Sequence, residues 1–226
     1  MGSFSHWDPW ERTSLNKDIP AGLLDKLDPV TGPDNGQMYS DFDLNSAEKA
    51  SQTRANARAA AVLVPLIQRP QGWQVLLTLR TNEMPTHAGQ ISFPGGGQRG
   101  EDLGLDQTAL REFEEETGVP QSQVQLLGKF DRYRTVTNYQ ITPFVGVVSG
   151  QINLQPDPRE VAEAFEVPFS FLGDLANFKR ESRIWQGRER FFYSIPWQDR
   201  YIWGATAGML RALALRLVAQ NTGTNP

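Results

Sequence analysis

Four of the five residues from 112 to 116 are glutamates. On a helix, Glu112, Glu115 and Glu116 share one face, whereas Glu114 points elsewhere. Three carboxylates on one face repel each other, so such a face either lies in open water or holds a divalent cation. Carboxylate oxygens select hard ions such as Mg²⁺ or Mn²⁺. The cluster therefore predicts either a solvated acidic face or a carboxylate metal site.

The composition excludes most other site chemistries. The 226-residue chain has no cysteine, which rules out disulfides, thiolate metal sites, Fe–S clusters and cysteine nucleophiles. Its two histidines argue against a multi-histidine zinc site. A net charge of −4, from 22 basic and 26 acidic residues, argues against a general nucleic-acid binder. Any strong metal site must therefore be built from carboxylates.

A glycine-rich loop precedes the acidic helix. Its residues, 94–97, read Pro-Gly-Gly-Gly, and backbone N–H groups near a helix start can hold phosphate oxygens. The predicted helix covers residues 105–117, with Gly118 as its left-handed C-terminal residue and Pro120 enforcing the stop. Loop and helix together favour phosphate chemistry beside the carboxylates over a merely solvated face.

The same stretch resembles the Nudix box, usually written Gly-x5-Glu-x7-Arg-Glu-U-x-Glu-Glu-x-Gly-U, where U is apolar. Residues 111–119 match the second half at every position. In the first half, the position eight before Arg111 is Leu103 rather than glutamate, and the nearest acids are Glu101 and Asp102. In this family the early glutamate supports the loop and contacts the arginine. The departure therefore concerns loop geometry more than the metal ligands.

The resemblance implies a hydrolase that cleaves a nucleoside diphosphate linked to another moiety, with Mg²⁺ or Mn²⁺ as cofactor. It implies Glu112, Glu115 and Glu116 as metal ligands, and the same three with Glu160 as catalytic groups. The general base stays open between Glu115, Glu160 and Glu163, because many members recruit a downstream carboxylate. Arg111 is implied as a structural ion-pair partner.

Residues 76–96 also resemble the extra signature of the coenzyme A (CoA) diphosphatase branch. Thr81 replaces a small residue, and Pro85 replaces an arginine that could hold a CoA phosphate. His87 could instead cap a turn, Gly89 serve the backbone, and Phe93 fill the core. The matching positions are Leu76, Leu77, Thr78, Arg80, Gly89 and residues 93–96. The substrate-binding residues implied are Arg80, His87, Gly89, Gln90, Phe93, Gly95 and Gly96.

The branch implies hydrolysis of CoA or its derivatives to adenosine 3′,5′-bisphosphate and (acyl-)4′-phosphopantetheine. Two alternatives stay open: hydrolysis of another nucleoside diphosphate derivative, such as ADP-ribose, NADH or a dNTP, and a catalytically silent nucleotide-binding module. The expected partner is a small CoA-like nucleotide, with no nucleic acid and no membrane; a homodimer is left open. No signal peptide or spanning segment is visible, so a cytoplasmic protein is expected.

The elements that must position these residues indicate an α/β fold. Apolar runs at 60–67 and 73–79 flank a turn and predict a hairpin, and further strands are expected at 89–93, 124–131, 140–149 and 152–154. Short strands at 184–186 and 190–194 predict a second hairpin around Gly187. A second long helix is predicted at 204–220. With the resemblance, this implies a Nudix-type α/β/α sandwich with a mixed central sheet.

Three segments divide the chain. Residues 1–53 are predicted to be an irregular extension, residues 54–220 the Nudix domain, and residues 221–226 a tail. Turn dipeptides dominate the extension, with short helices expected at 21–27 and 46–58. We expect this arm to pack without a chemical role.

Overall fold

The computed structural model describes residues 19–45, 57–84, 86–185 and 187–219. Outside the described residues lie Pro85, Gln186, the tail 221–226, residues 1–18 of the arm, and nearly all of the helix predicted at 46–58. The last residue of that predicted helix, Arg58, begins a strand instead.

The described residues form twelve strands, three α-helices and three short 3-10 helices. The strands are β1 (Met38–Ser40), β2 (Arg58–Arg69), β3 (Gly72–Arg80), β4 (Ile91–Ser92), β5 (Gly95–Gly97), β6 (Val124–Lys129), β7 (Arg132–Arg134), β8 (Tyr139–Val148), β9 (Val161–Pro168), β10 (Lys179–Trp185), β11 (Arg188–Trp197) and β12 (Arg200–Trp203). The α-helices are α1 (Leu105–Thr117), α2 (Phe169–Leu172) and α3 (Ala205–Val218), and the 3-10 helices are Leu24–Lys26, Gln121–Gln123 and Leu175–Asn177.

A mixed nine-stranded sheet forms the centre of the fold, with strand order β1-β7-β8-β2-β3-β4; β5 pairs with β2, β6 with β8 and β9 with β3. The predicted β2–β3 hairpin is confirmed, and Gly72, with φ of 110°, makes the tight turn that a side chain would strain. Strand β2 pairs in parallel with β8. Its residues 60–67 are all buried, which is typical of a central strand covered on both faces.

Helices cover both faces of this sheet. Helix α1 packs through Ala109 and Phe113 onto the face that carries Ala61 and Leu63. Helix α3 packs onto the opposite face, where Val62 and Val64 alternate with those residues. The predicted α/β/α sandwich is therefore confirmed.

The smaller elements differ from the prediction in length. The strand expected at 89–93 is only Ile91–Ser92, because Gly89 has a φ of 67° and residue 94 is proline. The expected strand 152–154 is absent from the described residues; this segment instead runs along the end of α1, where Gln155 N–H donates to the Thr117 carbonyl at 2.8 Å.

A separate three-stranded sheet, β10-β11-β12, lies outside the central sheet. It contains the hairpin predicted around Gly187 and adds a third strand. The described part of the arm packs on the domain: Leu23 and Phe42 are buried, and β1 pairs in parallel with β7. Its predicted helix at 21–27 is only the 3-10 turn Leu24–Lys26. No helix among the described residues is long and apolar enough to span a bilayer.

Candidate active site

Helix α1 has the predicted bounds, and its ends explain them. Gly118 adopts the left-handed conformation (φ 71°) and donates its N–H to the Glu114 carbonyl at 2.9 Å. Phe113 is fully buried against the sheet. This anchor fixes the rotation of α1 and thereby directs the glutamates of the opposite face.

The three glutamates of that face lie at different depths. Glu112 is 9% exposed and Glu116 is 3% exposed, whereas the Glu115 side chain is 44% exposed. Glu114 points elsewhere, as predicted, and accepts the Gln121 N–H at 3.2 Å. A wholly solvated acidic face is therefore excluded, because two of its three carboxylates are buried.

The glycine strand β5 lies directly against these carboxylates. A Cβ placed on Gly96 would come within 2.6 Å of Glu112 Cδ, so a side chain at this position would displace the carboxylate. The Gly95 N–H donates to the Glu116 carboxylate. The close approach of backbone to carboxylate requires glycine at position 96.

Asp102 makes the contact with Arg111 that the box assigns to a glutamate at position 103. Arg111 donates Nε to Asp102 Oδ1 at 3.0 Å and Nη2 to Oδ2 at 2.9 Å. Asp102 also accepts the Arg99 N–H and the Thr108 hydroxyl, each at 2.9 Å. These bonds, with Arg111 first, hold the pKa of Asp102 far below its usual range. The shorter aspartate side chain, one residue before the position that the box gives to glutamate, thus ties the loop to the helix.

Burial dominates the electrostatics of Glu116. Desolvation raises the pKa of Glu116 to about 8, and the charges of Glu112 and Glu160 act in the same direction. Arg80 opposes this shift with its Nη1 3.7 Å from Glu116 Oε1. The second oxygen of Glu116 is buried without a hydrogen-bond partner. A buried carboxylate oxygen of this kind requires a cation or a donor.

Guanidinium groups hold the other two carboxylates. Arg111 Nη1 lies 2.7 Å from Glu112 and 3.2 Å from Glu115. Arg99 binds Glu115 in a bidentate pair, with both N···O distances 2.9 Å. Arg99 is half-exposed, so water screens this pair and it can open at low cost.

The donor set fits a hard divalent cation. Three carboxylates with one buried, unpartnered oxygen are the chemistry that Mg²⁺ or Mn²⁺ accepts. Within the described ranges, no three acidic or imidazole side chains already surround one cation position, because Arg99 and Arg111 hold Glu115 and Glu112. We infer that cation binding replaces guanidinium contacts at these two residues.

The downstream carboxylates differ in their surroundings. Glu163 forms a bidentate pair with Arg200, with both distances 2.7 Å. Glu160 is exposed, its charge acts on Glu116, and its carbonyl accepts the Thr81 N–H at 3.0 Å. Of the two, Glu160 is the one whose charge acts on Glu116.

A cavity of about 1370 Å³ opens on the α3 side of the sheet. Of the predicted substrate residues, Gly89 is not in its wall and instead makes a turn with positive φ. His87 is exposed, with Nδ1 2.9 Å from Gln90 Oε1, and Phe93 is a core residue that also reaches the cavity. The predicted residues that line it are Arg80, His87, Gln90, Phe93, Gly95 and Gly96. Arg80 thus touches both the cavity and Glu116.

The far walls of the cavity come from segments that sequence reasoning did not assign to the site. One wall is the arm from Gln37 to Asn45, and another is the three-stranded sheet. Asp41 secures the arm: it accepts the Tyr133 hydroxyl at 2.9 Å and the Val136 N–H at 2.8 Å. Burial raises the pKa of Asp41. The only sequence signal for the second wall is the mixture of arginines and aromatics between residues 180 and 203.

Comparison with known sequences shows which protein family this chain resembles. A sequence model of the NUDIX domain matches residues 57–186, more than half of the chain. The "Uncharacterized Nudix hydrolase NudL" of Enterobacter sp. (strain 638) is 36% identical over 169 residues, covering 75% of this chain and 88% of the relative. The protein of that name from Pectobacterium atrosepticum is 38% identical over 161 residues, covering 71% of this chain and 83% of the relative.

Solved structures show lower similarity. The Nudix hydrolase RenU of M. Smegmatis has a TM-score of 0.48 and 18% identity, covering 75% of this chain and 90% of that chain. The NUDIX domain of NrtR from Shewanella oneidensis, solved with ADP ribose, has a TM-score of 0.40 and 19% identity, covering 56% of this chain and 84% of that chain.

Proposed function

The chain belongs to the Nudix hydrolase family, whose members use divalent metal ions on diphosphate-containing substrates, and we propose that it cleaves the diphosphate of CoA or its derivatives. The products are adenosine 3′,5′-bisphosphate and (acyl-)4′-phosphopantetheine. The cofactor is Mg²⁺ or Mn²⁺.

One observation carries this proposal. The signature that resembles the CoA branch, residues 76–96, ends in the two strands that border the cavity, and Arg80 from this signature joins the cavity to Glu116. The cavity volume exceeds that of sites for drug-sized ligands. It therefore has room for a substrate with a nucleotide at one end and a long thiol arm at the other.

The roles of the residues follow from their surroundings. Glu112, Glu115 and Glu116 would hold the cation, which when bound neutralises diphosphate charge and lowers the pKa of water. Arg80 donates to a diphosphate oxygen, since its Nε is buried without a partner and lies beside the carboxylates. Glu160 is the group that accepts the proton of the attacking water, because its charge acts on Glu116 whereas Glu163 is paired with Arg200.

The second candidate, hydrolysis of another nucleoside diphosphate derivative, is favoured by Pro85. The CoA signature has an arginine at this position, so one phosphate contact of that branch is missing. ADP-ribose, NADH and dNTPs carry the diphosphate but lack the pantetheine arm.

A substrate panel separates the two candidates. The purified protein with Mg²⁺ or Mn²⁺ is incubated with CoA, ADP-ribose, NADH and dNTPs, and the products are identified by mass spectrometry. We expect CoA to give the highest kcat/KM, with 4′-phosphopantetheine as a product. Intact CoA alongside cleavage of another member of the panel would assign the second function.

A further inference from the structure

The walls of the cavity carry a strong excess of positive charge. Among the described lining residues there are two carboxylates, Asp41 and Asp43, and both make hydrogen bonds within the protein. The cations are the arginines at positions 58, 80, 183, 190 and 211. A cavity with this balance attracts an anionic ligand along its length, beyond the diphosphate at Arg80.

Four of these five arginines lie over aromatic rings. Arg58 stacks on Tyr139 at 4.0 Å, Arg190 on Trp185 at 4.1 Å, and Arg211 on Tyr193 at 4.4 Å. The fourth, Arg183, has Trp203, Phe192 and Tyr201 within 5.8 Å. Stacking fixes the plane of a guanidinium while its N–H edge remains available to donate to a phosphate.

Two of these arginines lie side by side on neighbouring strands of the three-stranded sheet. Arg183 on β10 and Arg190 on β11 are directly opposite in the antiparallel register, and both line the cavity. The charge of Arg190 also acts on Asp41, so part of its charge is compensated within the protein. A doubly charged anion bound at Arg183 would still be attracted by the neighbouring charge of Arg190.

Arg183 forms no salt bridge with an acid in the described ranges. The acid two residues before it, Glu181, accepts a hydrogen bond from the Tyr201 hydroxyl. Glu189, next to Arg190, accepts the Ser182 hydroxyl at 2.7 Å. The neighbouring acids are thus engaged elsewhere, and the guanidinium of Arg183 faces the cavity.

We propose that Arg183, with Arg190 opposite, binds a phosphate monoester of the substrate on the wall formed by the three-stranded sheet. This inference rests on the proposed function, since CoA carries such a group on its ribose in addition to the diphosphate. It also supplies, from another part of the fold, the cation that the signature lacks at position 85. Arg183 is therefore a specificity residue for the 3′-phosphate and takes no part in bond cleavage.

The test compares substrates with and without that phosphate. The kcat/KM of CoA and of 3′-dephospho-CoA is measured for the wild type, Arg183→Gln and Arg180→Gln. Arg180 is the matched control: it lies on the same strand and stacks on Phe191 at 4.1 Å, but it does not line the cavity. Arg183→Gln loses one charge-assisted contact, so the ratio of kcat/KM for CoA to kcat/KM for dephospho-CoA should fall about tenfold. In Arg180→Gln this ratio should keep its wild-type value.

An equal ratio in wild type and Arg183→Gln, or an equal fall in both variants, overturns the inference while CoA hydrolysis itself stands. If the wild type cleaves neither compound, the proposed function fails, and calorimetric binding of adenosine 3′,5′-bisphosphate and adenosine 5′-monophosphate decides the subsite. The proposed subsite is supported if the wild type binds the bisphosphate more tightly than the monophosphate and Arg183→Gln loses this difference. Equal affinities of the wild type for the two nucleotides overturn it.

Discussion

At the scale of single residues, ion pairs around α1 determine which carboxylates are available. Asp102 and Arg111 form a bidentate pair that is largely shielded from water and shapes the loop, whereas Arg99 and Glu115 form a half-exposed pair. Buried pairs cost several kcal/mol to break by removing one partner, and exposed pairs cost little. The first pair is therefore structural, and the second can open when a cation arrives.

Replacing Asp102 with asparagine tests the structural pair. We expect Asp102→Asn to lower the free energy of unfolding by about 2 kcal/mol at pH 7, because Arg111 loses its charged partner. The folded-state pKa of Asp102 lies below its unfolded value, so this contribution is complete above about pH 4 and declines as the pH falls further. Urea unfolding at pH 7 and pH 3 measures the difference, which should shrink at the lower pH.

The control for this variant is Glu101→Gln, which removes the adjacent, exposed acid. It should unfold as the wild type does. Equal losses of stability in both variants would mean that the loop needs negative charge in general and not the pair with Arg111.

At the scale of elements, the site depends on how closely strand β5 approaches α1. The sequence predicted the helix and its acidic face because both follow from local periodicity and from Gly118 and Pro120. It did not predict that Asp102 replaces the early glutamate, because a one-residue shift in a loop has no periodic signal. The contact of Gly96 with Glu112 likewise depends on tertiary packing.

Alanine substitutions in β5 test this approach. A Cβ at position 96 would meet the Glu112 carboxylate at 2.6 Å, whereas a Cβ at position 97 would find only Tyr139 Cε1, at 3.9 Å. We expect Gly96→Ala to reduce kcat/KM about a hundredfold, since displacement of a ligand by about 1 Å has effects of this size. Gly97→Ala is the matched control and should keep nearly wild-type activity, with circular dichroism confirming that both variants fold. Comparable activity in the two would contradict the role of this contact.

At the scale of the whole molecule, the cavity joins three regions that are distant in sequence: the arm, the central sheet and the three-stranded sheet. The parallel pairing of β2 with β8 and the docking of the arm involve residues tens of positions apart. Hydrophobic patterns do not specify such pairings, and strand β10 is exposed along almost its whole length. Sequence reasoning therefore located the carboxylates but not the far walls of the cavity.

Burial of the arm gives a prediction at this scale. Leu23 is fully buried against the domain, so Leu23→Ala should reduce the free energy of unfolding by about 3 kcal/mol. Leu103 is 90% exposed, and Leu103→Ala should change the free energy of unfolding by less than about 0.5 kcal/mol. Urea denaturation followed by fluorescence should show one transition for both variants. An earlier, separate transition for Leu23→Ala would indicate that the arm folds independently.

The most direct test of the account is metal-dependent CoA hydrolysis by two glutamine variants of one helix. Glu116 is buried in the carboxylate cluster, whereas Glu114 points away from it. With Mg²⁺ or Mn²⁺ present, we predict that Glu116→Gln releases 4′-phosphopantetheine at least about a thousandfold more slowly than the wild type, given the several kcal/mol that a ligand carboxylate contributes. Glu114→Gln should retain wild-type turnover. Undiminished turnover in Glu116→Gln, or CoA left intact by the wild type, would contradict the assignment of this helix as the catalytic centre of a CoA diphosphatase.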